Sequence, residues 1–401
     1  MKTLLQIWSA SWRIAVGVLL LIWIFHSIFV NEARELAGRG ELIEGGVPVI
    51  WTKEQAPPRA EQWRYGWQYG PPALWRTLRG VNPVALAVSF ALMGGTLIVG
   101  MVRWRMVLRV QGLNLPFNRV AEISLVAHFF NSFLLGTAGG DVMKAYCAAR
   151  ETQHKKTEAV VTVFVDRVIG LWAMLVFGTV MLMPNLRMFE GLGLRRAFSQ
   201  IMSEPAAGLA NLFRITTNEA IVYATVILLG MTLAGTVFVL LAFRGGVSRR
   251  WSGARAWLRR LPKGEWLERS LESCRKFGQE RGFFTRALAL SMLLNFLCVI
   301  QFWVLSYGLG MQVPLLALCM VVPTVICIAA VPIFPGGLGV RESLLVYLLS
   351  VPAIHADATK SLSLSLLAYA GSLFWSLVGG VVYAAFKHKH HLGEKELSDE
   401  S

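Results

Sequence analysis

Apolar runs of roughly twenty residues recur along the whole chain, and the Lys and Arg residues collect between them. A run of about 20 apolar residues is what a helix needs to cross the ~30 Å hydrocarbon core of a bilayer. Lipid offers backbone groups no hydrogen-bond partner, so each run must satisfy its own N–H and C=O groups. The runs fall at 14–30, 82–102, 119–150, 158–183, 220–243, 283–307, 314–350 and 361–386. The expected fold class is therefore all-α, a polytopic integral membrane protein with one membrane domain over 1–401. Only 16% of the residues are charged, against about 25% in a soluble domain. That leaves no room for a soluble catalytic domain of ordinary size.

The loop charges set an expected topology. The net charge of +15 follows the positive-inside pattern and lacks the basic, aromatic-interleaved module of a nucleic-acid binder. Residues 103–119 carry Arg103, Arg105, Arg109 and Arg119 without an acid, which places them in the cytoplasm. Lys144, Arg150, Lys155 and Lys156 follow 119–150 and read the same way. The loop 244–282 has eleven Lys and Arg against four Glu, so it is expected to be cytoplasmic and to attract anionic lipid. Lys2 and Arg13 precede a run too long for a signal-peptide core, which reads as an uncleaved first span. Both termini, including the tail 387–401, are expected in the cytoplasm of a cell whose inner (plasma) membrane holds the chain.

With both flanks of 119–150 on one side, that segment enters and returns. The segment 314–350 does so from the opposite side. The expectation is about six full spans plus two re-entrant hairpins, with 82–183 and 283–386 as inverted repeats. Inverted repeats with broken helices are a transporter signature. Residues 31–81, rich in Trp and Tyr, and 184–219 are expected as outer-side connections, the first resting at the headgroup zone.

Non-helical backbone at membrane depth is tolerated only inside protein or beside a water-filled cavity. The two Gly-rich turns, with Gly139 and Gly140 in the first and Gly337 and Gly339 in the second, therefore imply a polar pocket. Asp141 is positioned to cap the helix that follows. That helix start, with Lys144 one turn in, suits an anion. The arm before it carries a polar stripe at helical spacing, Ser124, His128, Asn131 and Ser132. For His128, interhelical hydrogen bonding is the favoured reading.

Asp166 and Arg167 fall inside 158–183, where charge is costly and functional by default. Adjacent helical residues point about 100° apart, so each needs its own partner. Asp166 is expected to meet Lys144 or a basic group of another helix, and Arg167 a substrate phosphate or Glu342. Gly170 permits a close approach there. After the second turn, Glu342 suits a helix N-terminus while Arg341 does not. Arg341 is a candidate phosphate grip, or it pairs with Asp166 or reaches outward.

Cys147, Cys274, Cys298, Cys319 and Cys327 form no CxxC pair and read as small buried hydrophobes. His388, His390 and His391 read as a solvated basic end. No zinc spacing, nucleotide loop or Ser-His-Asp order is found, so no catalytic residue, metal or cofactor is assigned.

The stretches NSFLLGTAGGDVMKAYCAARE, VFVDRVIGLWAM and FPGGLGVRESLLVYLL resemble the transmembrane domain of the lysylphosphatidylglycerol synthase/flippase family, over roughly 82–386. The resemblance implies a flippase-like fold with a membrane-embedded lipid site. The residues it carries over are Gly139, Gly140, Asp141, Asp166, Arg167, Gly337, Gly339, Arg341 and Glu342. It does not imply the lipid-lysylating activity, which belongs to a soluble synthase domain. Many relatives have proline just before the first glycine pair, where this chain has Thr137-Ala138.

The sequence reading is thus translocation of a membrane lipid or polyprenyl-phosphate-linked substrate with an anionic headgroup. Lys144, Arg167 and Arg341 would neutralise the head, and Asp141, Asp166 and Glu342 would hold those cations, in a cavity enclosed by the hairpins. The alternatives are a membrane-embedded enzyme acting on a lipid headgroup, with Asp141 or Asp166 as base, and a scaffold acting through 244–282. Homo-oligomerisation is left open.

The topology has a direct check in a cysteine-free variant. A single cysteine replacing Arg150 should be labelled from the cytoplasm, and one replacing His355 from the outside. Labelling from one side contradicts the inverted repeat.

Overall fold

The computed structural model describes residues 22–23, 25–44, 47–49, 51, 56–133, 139–152, 155–185, 217–244, 273–329, 339–350, 354 and 356–390. They are almost wholly helical. In order they form α1 (25–38), α2 (Arg59–Arg79), α3 (Pro83–Val110), α4 (Phe117–Phe133), α5 (Gly139–Glu151), α6 (Lys156–Asn185), α7 (Thr217–Arg244), α8 (Phe283–Gly308), α9 (Leu315–Ala329), α10 (Val340–Leu349) and α11 (Ala358–His390). A two-residue antiparallel ladder, Ile43–Glu44 (β1) on Val47–Pro48 (β2), is the sole sheet among the described residues.

Among the described residues, four helices are long and apolar enough to cross a bilayer: Pro83–Val110, Lys156–Met181, Phe283–Gly308 and Ala358–Ala385. The chain is an all-α polytopic membrane protein. Four other helices are short, with α4 at 17 residues, α5 at 13, α9 at 15 and α10 at 10. At about 1.5 Å per residue, none of these reaches ~30 Å. They occur as packed pairs, α4 on α5 and α9 on α10. These are the two places where Gly and Pro interrupt a long apolar run.

The chain forms two compact units. The first holds residues 1–89 and 301–370. There α1 packs on α2 through Gly66 and Gly70. Four residues apart, they share one helix face, and a Cβ at Gly70 would lie 2.3 Å from the Phe29 ring. The Trp67 ring meets Phe29 edge-on at 5.4 Å. This contact makes a 21-residue helix out of a stretch expected as a connection, even though Pro71 and Pro72 lie within it. Glu44 of the small ladder accepts hydrogen bonds from both Arg64 and Tyr65 of α2.

The second unit holds residues 90–300 and 371–401. Its core is built on Trp104, Leu108, Ile123, Ile169 and Phe283, none more than 1% exposed. Here α5 packs on α4 and α6, and α6 on α7. Backbones approach closely at two glycines. A Cβ at Gly140 would lie 2.0 Å from the Ala127 carbonyl oxygen on α4, and one at Gly379 would lie 2.1 Å from the Leu125 carbonyl oxygen. Small residues are how membrane helices come this near. Helix α3 runs past the expected span 82–102 to Val110, and Trp104, Val107 and Leu108 in that extension are completely buried.

These contacts make position 140 intolerant of any side chain. Gly140→Ala should lower the unfolding midpoint in detergent, the overpacking costing about 1–3 kcal/mol. Gly230→Ala, on α7 with nothing within 4 Å, should leave it unchanged or raise it. Equal behaviour of the two variants would mean that α4 and α5 are not locked by this contact.

Candidate functional site

Five charged residues of α3, α5 and α6 in the second unit meet at and beside the α5–α6 contact. Lys144 and Asp141, three residues apart on α5, face Asp166 and Arg167 on α6. Lys144 Nζ lies 3.4 Å from Asp166 Oδ2. Arg167 pairs with Asp141 beside it. The adjacent residues Asp166 and Arg167 therefore use separate partners, as their angular separation requires.

Asp166 has a second partner on α3. Arg103 Nε donates to Asp166 Oδ1 at 2.8 Å, and Arg103 Nη1 donates to Ser291 Oγ on α8 at 2.9 Å. The Ser291 hydroxyl in turn donates to the Ala287 carbonyl. Gly170 leaves the room that the guanidinium fills, since a Cβ there would lie 3.1 Å from Arg103 Nη2. Lys144 Nζ also sits 4.1 Å from the centroid of the Trp104 ring, a cation–π contact. The side chains of Arg103, Lys144 and Asp166 are only 10–13% exposed. Two buried cations thus share one carboxylate.

The rest of the first hairpin supports this cluster. Asn131 Oδ1 accepts the Gly140 amide at 2.9 Å. The N-terminus of α5 is therefore capped from α4, and Asp141 is left for Arg167 instead of capping its own helix. Gly139 and Gly140 stand in the first turn of α5, while residues 134–138 lie outside the described residues. His128 Nε2 is 3.2 Å from the Ser372 carbonyl oxygen, and the His128 carbonyl accepts from Ser376 and Ser132. His128 thus joins α4 to α11 by hydrogen bonds.

Arg341 and Glu342 belong to the first unit. The N-terminus of α10 starts at Gly339, whose φ of +84° favours glycine. Glu342 is fully buried and accepts the Gly339 amide at 2.8 Å. Arg341 pairs with Glu342, donates to Ser365 Oγ at 3.3 Å and lies over the Tyr369 ring at 4.7 Å. Its charge is matched locally by Glu342. Gly337 lies outside the described residues.

Three residues escaped the sequence reading: Arg103, Trp104 and Ser291. Arg103 was counted among the loop charges that set topology. The signal was present, because Thr96, Arg103 and Val107 share one helical face that is buried throughout.

The structure and these ion pairs define a helical membrane protein with charged side chains packed between its apolar helices. The family of the lysylphosphatidylglycerol synthase TM region matches residues 63–380, and the chain belongs to it. A UPF0104 membrane protein of Methanothermobacter thermautotrophicus is 26% identical over 333 residues, covering 77% of this chain and 86% of the relative. The family points to a lipid-related role in the membrane.

The cluster predicts an asymmetry between its members. Asp166→Asn leaves Arg103 and Lys144 facing each other without a counter-charge, and breaking a buried pair in this way costs about 3–5 kcal/mol. Restoring the balance with Asp166→Asn/Lys144→Met should recover most of that loss, read as unfolding midpoint in detergent. No recovery in the double variant would refute the charge-sharing description.

Proposed function

We propose that this protein carries out flippase-like translocation of a lipid or lipid-linked substrate with an anionic headgroup, and that the headgroup binds at Arg103 and Lys144. The observation that carries this reading is the Asp166 carboxylate shared by two buried cations. An excess positive charge in an apolar surrounding is costly, and an anionic ligand would offset that cost. Among the described residues neither cation has a second carboxylate partner. The Arg167–Asp141 pair, about one-third exposed, is the next charged group along the same helix contact.

In this reading the short pairs α4–α5 and α9–α10 are re-entrant hairpins. A break between two short helices at membrane depth gives the headgroup a polar path while its acyl or isoprenoid tail stays in lipid. The membrane is the inner (plasma) membrane with both termini in the cytoplasm, by the distribution of basic loops. Catalysis is not needed: Asp141 and Asp166 are each engaged by cations, which suits them to hold charge rather than to accept a proton from a substrate.

The test is reconstitution into liposomes with fluorescent phosphatidylglycerol, phosphatidylcholine and a polyprenyl phosphate, scoring transbilayer movement. Anionic lipids should move and phosphatidylcholine should not. Lys144→Met should slow movement about ten- to a hundredfold, the rate equivalent of one charge-assisted hydrogen bond worth about 1.5–3 kcal/mol. Arg167→Ala should slow it as well. Movement of every lipid alike, or none by a folded protein, would contradict the proposal. Appearance of a chemically altered lipid would favour a membrane-embedded enzyme.

A further inference from the structure

A second basic feature of the same unit takes no part in the cluster around Asp166. Along α3, Val102, Arg105 and Arg109 share one face, and along α8, Arg286, Leu290 and Leu293 share another, by their i, i+3/i+4, i+7 spacing. These faces flank a groove of about 750 Å³, within the usual range of ligand sites, with Glu280 as the single acid among the described residues that line it. The helices are held side by side by small residues: a Cβ at Gly100 would lie 3.8 Å from Leu294, and one at Gly95 would lie 3.9 Å from Leu297.

The groove is graded along its length. The arginines sit at the carboxyl end of α3 and the amino end of α8, where two antiparallel spans leave the bilayer on the same side. Val102 and Leu293 lie deeper, and both are exposed, as are Ile98 and Phe296 further in. None of Arg105, Arg109 and Arg286 makes an ion pair with a described residue. Arg105 Nε is buried without a hydrogen-bond partner, although its guanidinium lies 5.9 Å over the Phe117 ring.

We propose that this groove binds one anionic diacyl glycerophospholipid, with its phosphate on Arg105, Arg109 and Arg286 and an acyl chain along Val102, Leu290 and Leu293. Charge complementarity selects the headgroup, since three guanidiniums face one carboxylate and arginine grips phosphate bidentately. The apolar floor selects a lipid over a free phosphate: the exposed Val102 and Leu293 need a tail to cover them. This lipid is a bound companion of the fold and not the translocated one, because Arg103, on another face of α3, points to Asp166. The proposal therefore stands apart from the translocation reading.

The experiment is native mass spectrometry of the full chain in nonionic detergent, titrated with phosphatidylglycerol or phosphatidylcholine of the same acyl chains. Phosphatidylglycerol should bind about tenfold more tightly, and Arg109→Gln/Arg286→Gln should remove that about tenfold preference. Both positions are exposed, so the fold should stand, and a melting curve checks it. Arg109→Lys/Arg286→Lys should retain part of the preference. The effect should be the same in a Lys144→Met background, which separates this groove from the cluster around Asp166. Glycerol phosphate should not displace the lipid. Equal binding of the two lipids, an unchanged preference in the Gln variant, loss of the effect in the Lys144→Met background, or displacement by glycerol phosphate would overturn the proposal.

Discussion

The Asp166 carboxylate, gripped by Arg103 from α3 and Lys144 from α5, is the contact on which the second unit depends. Three helices, α3, α5 and α6, are tied at one point, and the Arg167–Asp141 pair adds a second link between α5 and α6. Lipid tails are as apolar as a leucine side chain, so packing alone gives these helices little reason to choose one register. A charge that must find its partner does choose. The same contact carries the functional reading, because one carboxylate serves two cations.

Small residues make that grip reachable. Gly170 leaves space for the Arg103 guanidinium, and Gly140 lets α5 lie against the α4 backbone, which puts Lys144 within reach of Asp166. Asn131 then caps the start of α5 from the neighbouring helix, freeing Asp141 for Arg167. The first hairpin thus works as a device for placing two charges of α5 against two of α6. The second hairpin is arranged differently: at Gly339 the cap is the helix's own Glu342, which also neutralises Arg341.

Much of this was legible in the sequence, for reasons that differ by residue. The all-α membrane class followed from apolar run length, which physics ties to bilayer thickness. Lys144 was one of the partners the sequence offered Asp166, the other being a basic group of another helix, because a charge in an apolar helix is costly and must be paired. The role of Arg103 was not legible by the same rule, because a charge at the end of an apolar run resembles a loop residue. Only its helical phase with Thr96 and Val107 shows that it faces inward. The cap on α5 was misplaced for a related reason: local capping rules favour Asp141, whereas the donor is taken by Asn131 from an element nine residues back. The helix α2 was hidden by Pro71 and Pro72, and tertiary contact of Gly66 and Gly70 with α1 overrides their local preference.

The central claim is that uncompensated positive charge at Arg103 and Lys144 recruits the anionic headgroup. Supplying the missing carboxylate tests it most directly. Ser291 already accepts a hydrogen bond from Arg103, so Ser291→Asp places a second anion on the cluster with little change in size. The measurement is transbilayer movement of phosphatidylglycerol by Ser291→Asp protein beside its unfolding midpoint in detergent. The account predicts a protein at least as stable as the parent that no longer moves the anionic lipid. A stable Ser291→Asp protein that moves phosphatidylglycerol at the parental rate would contradict it.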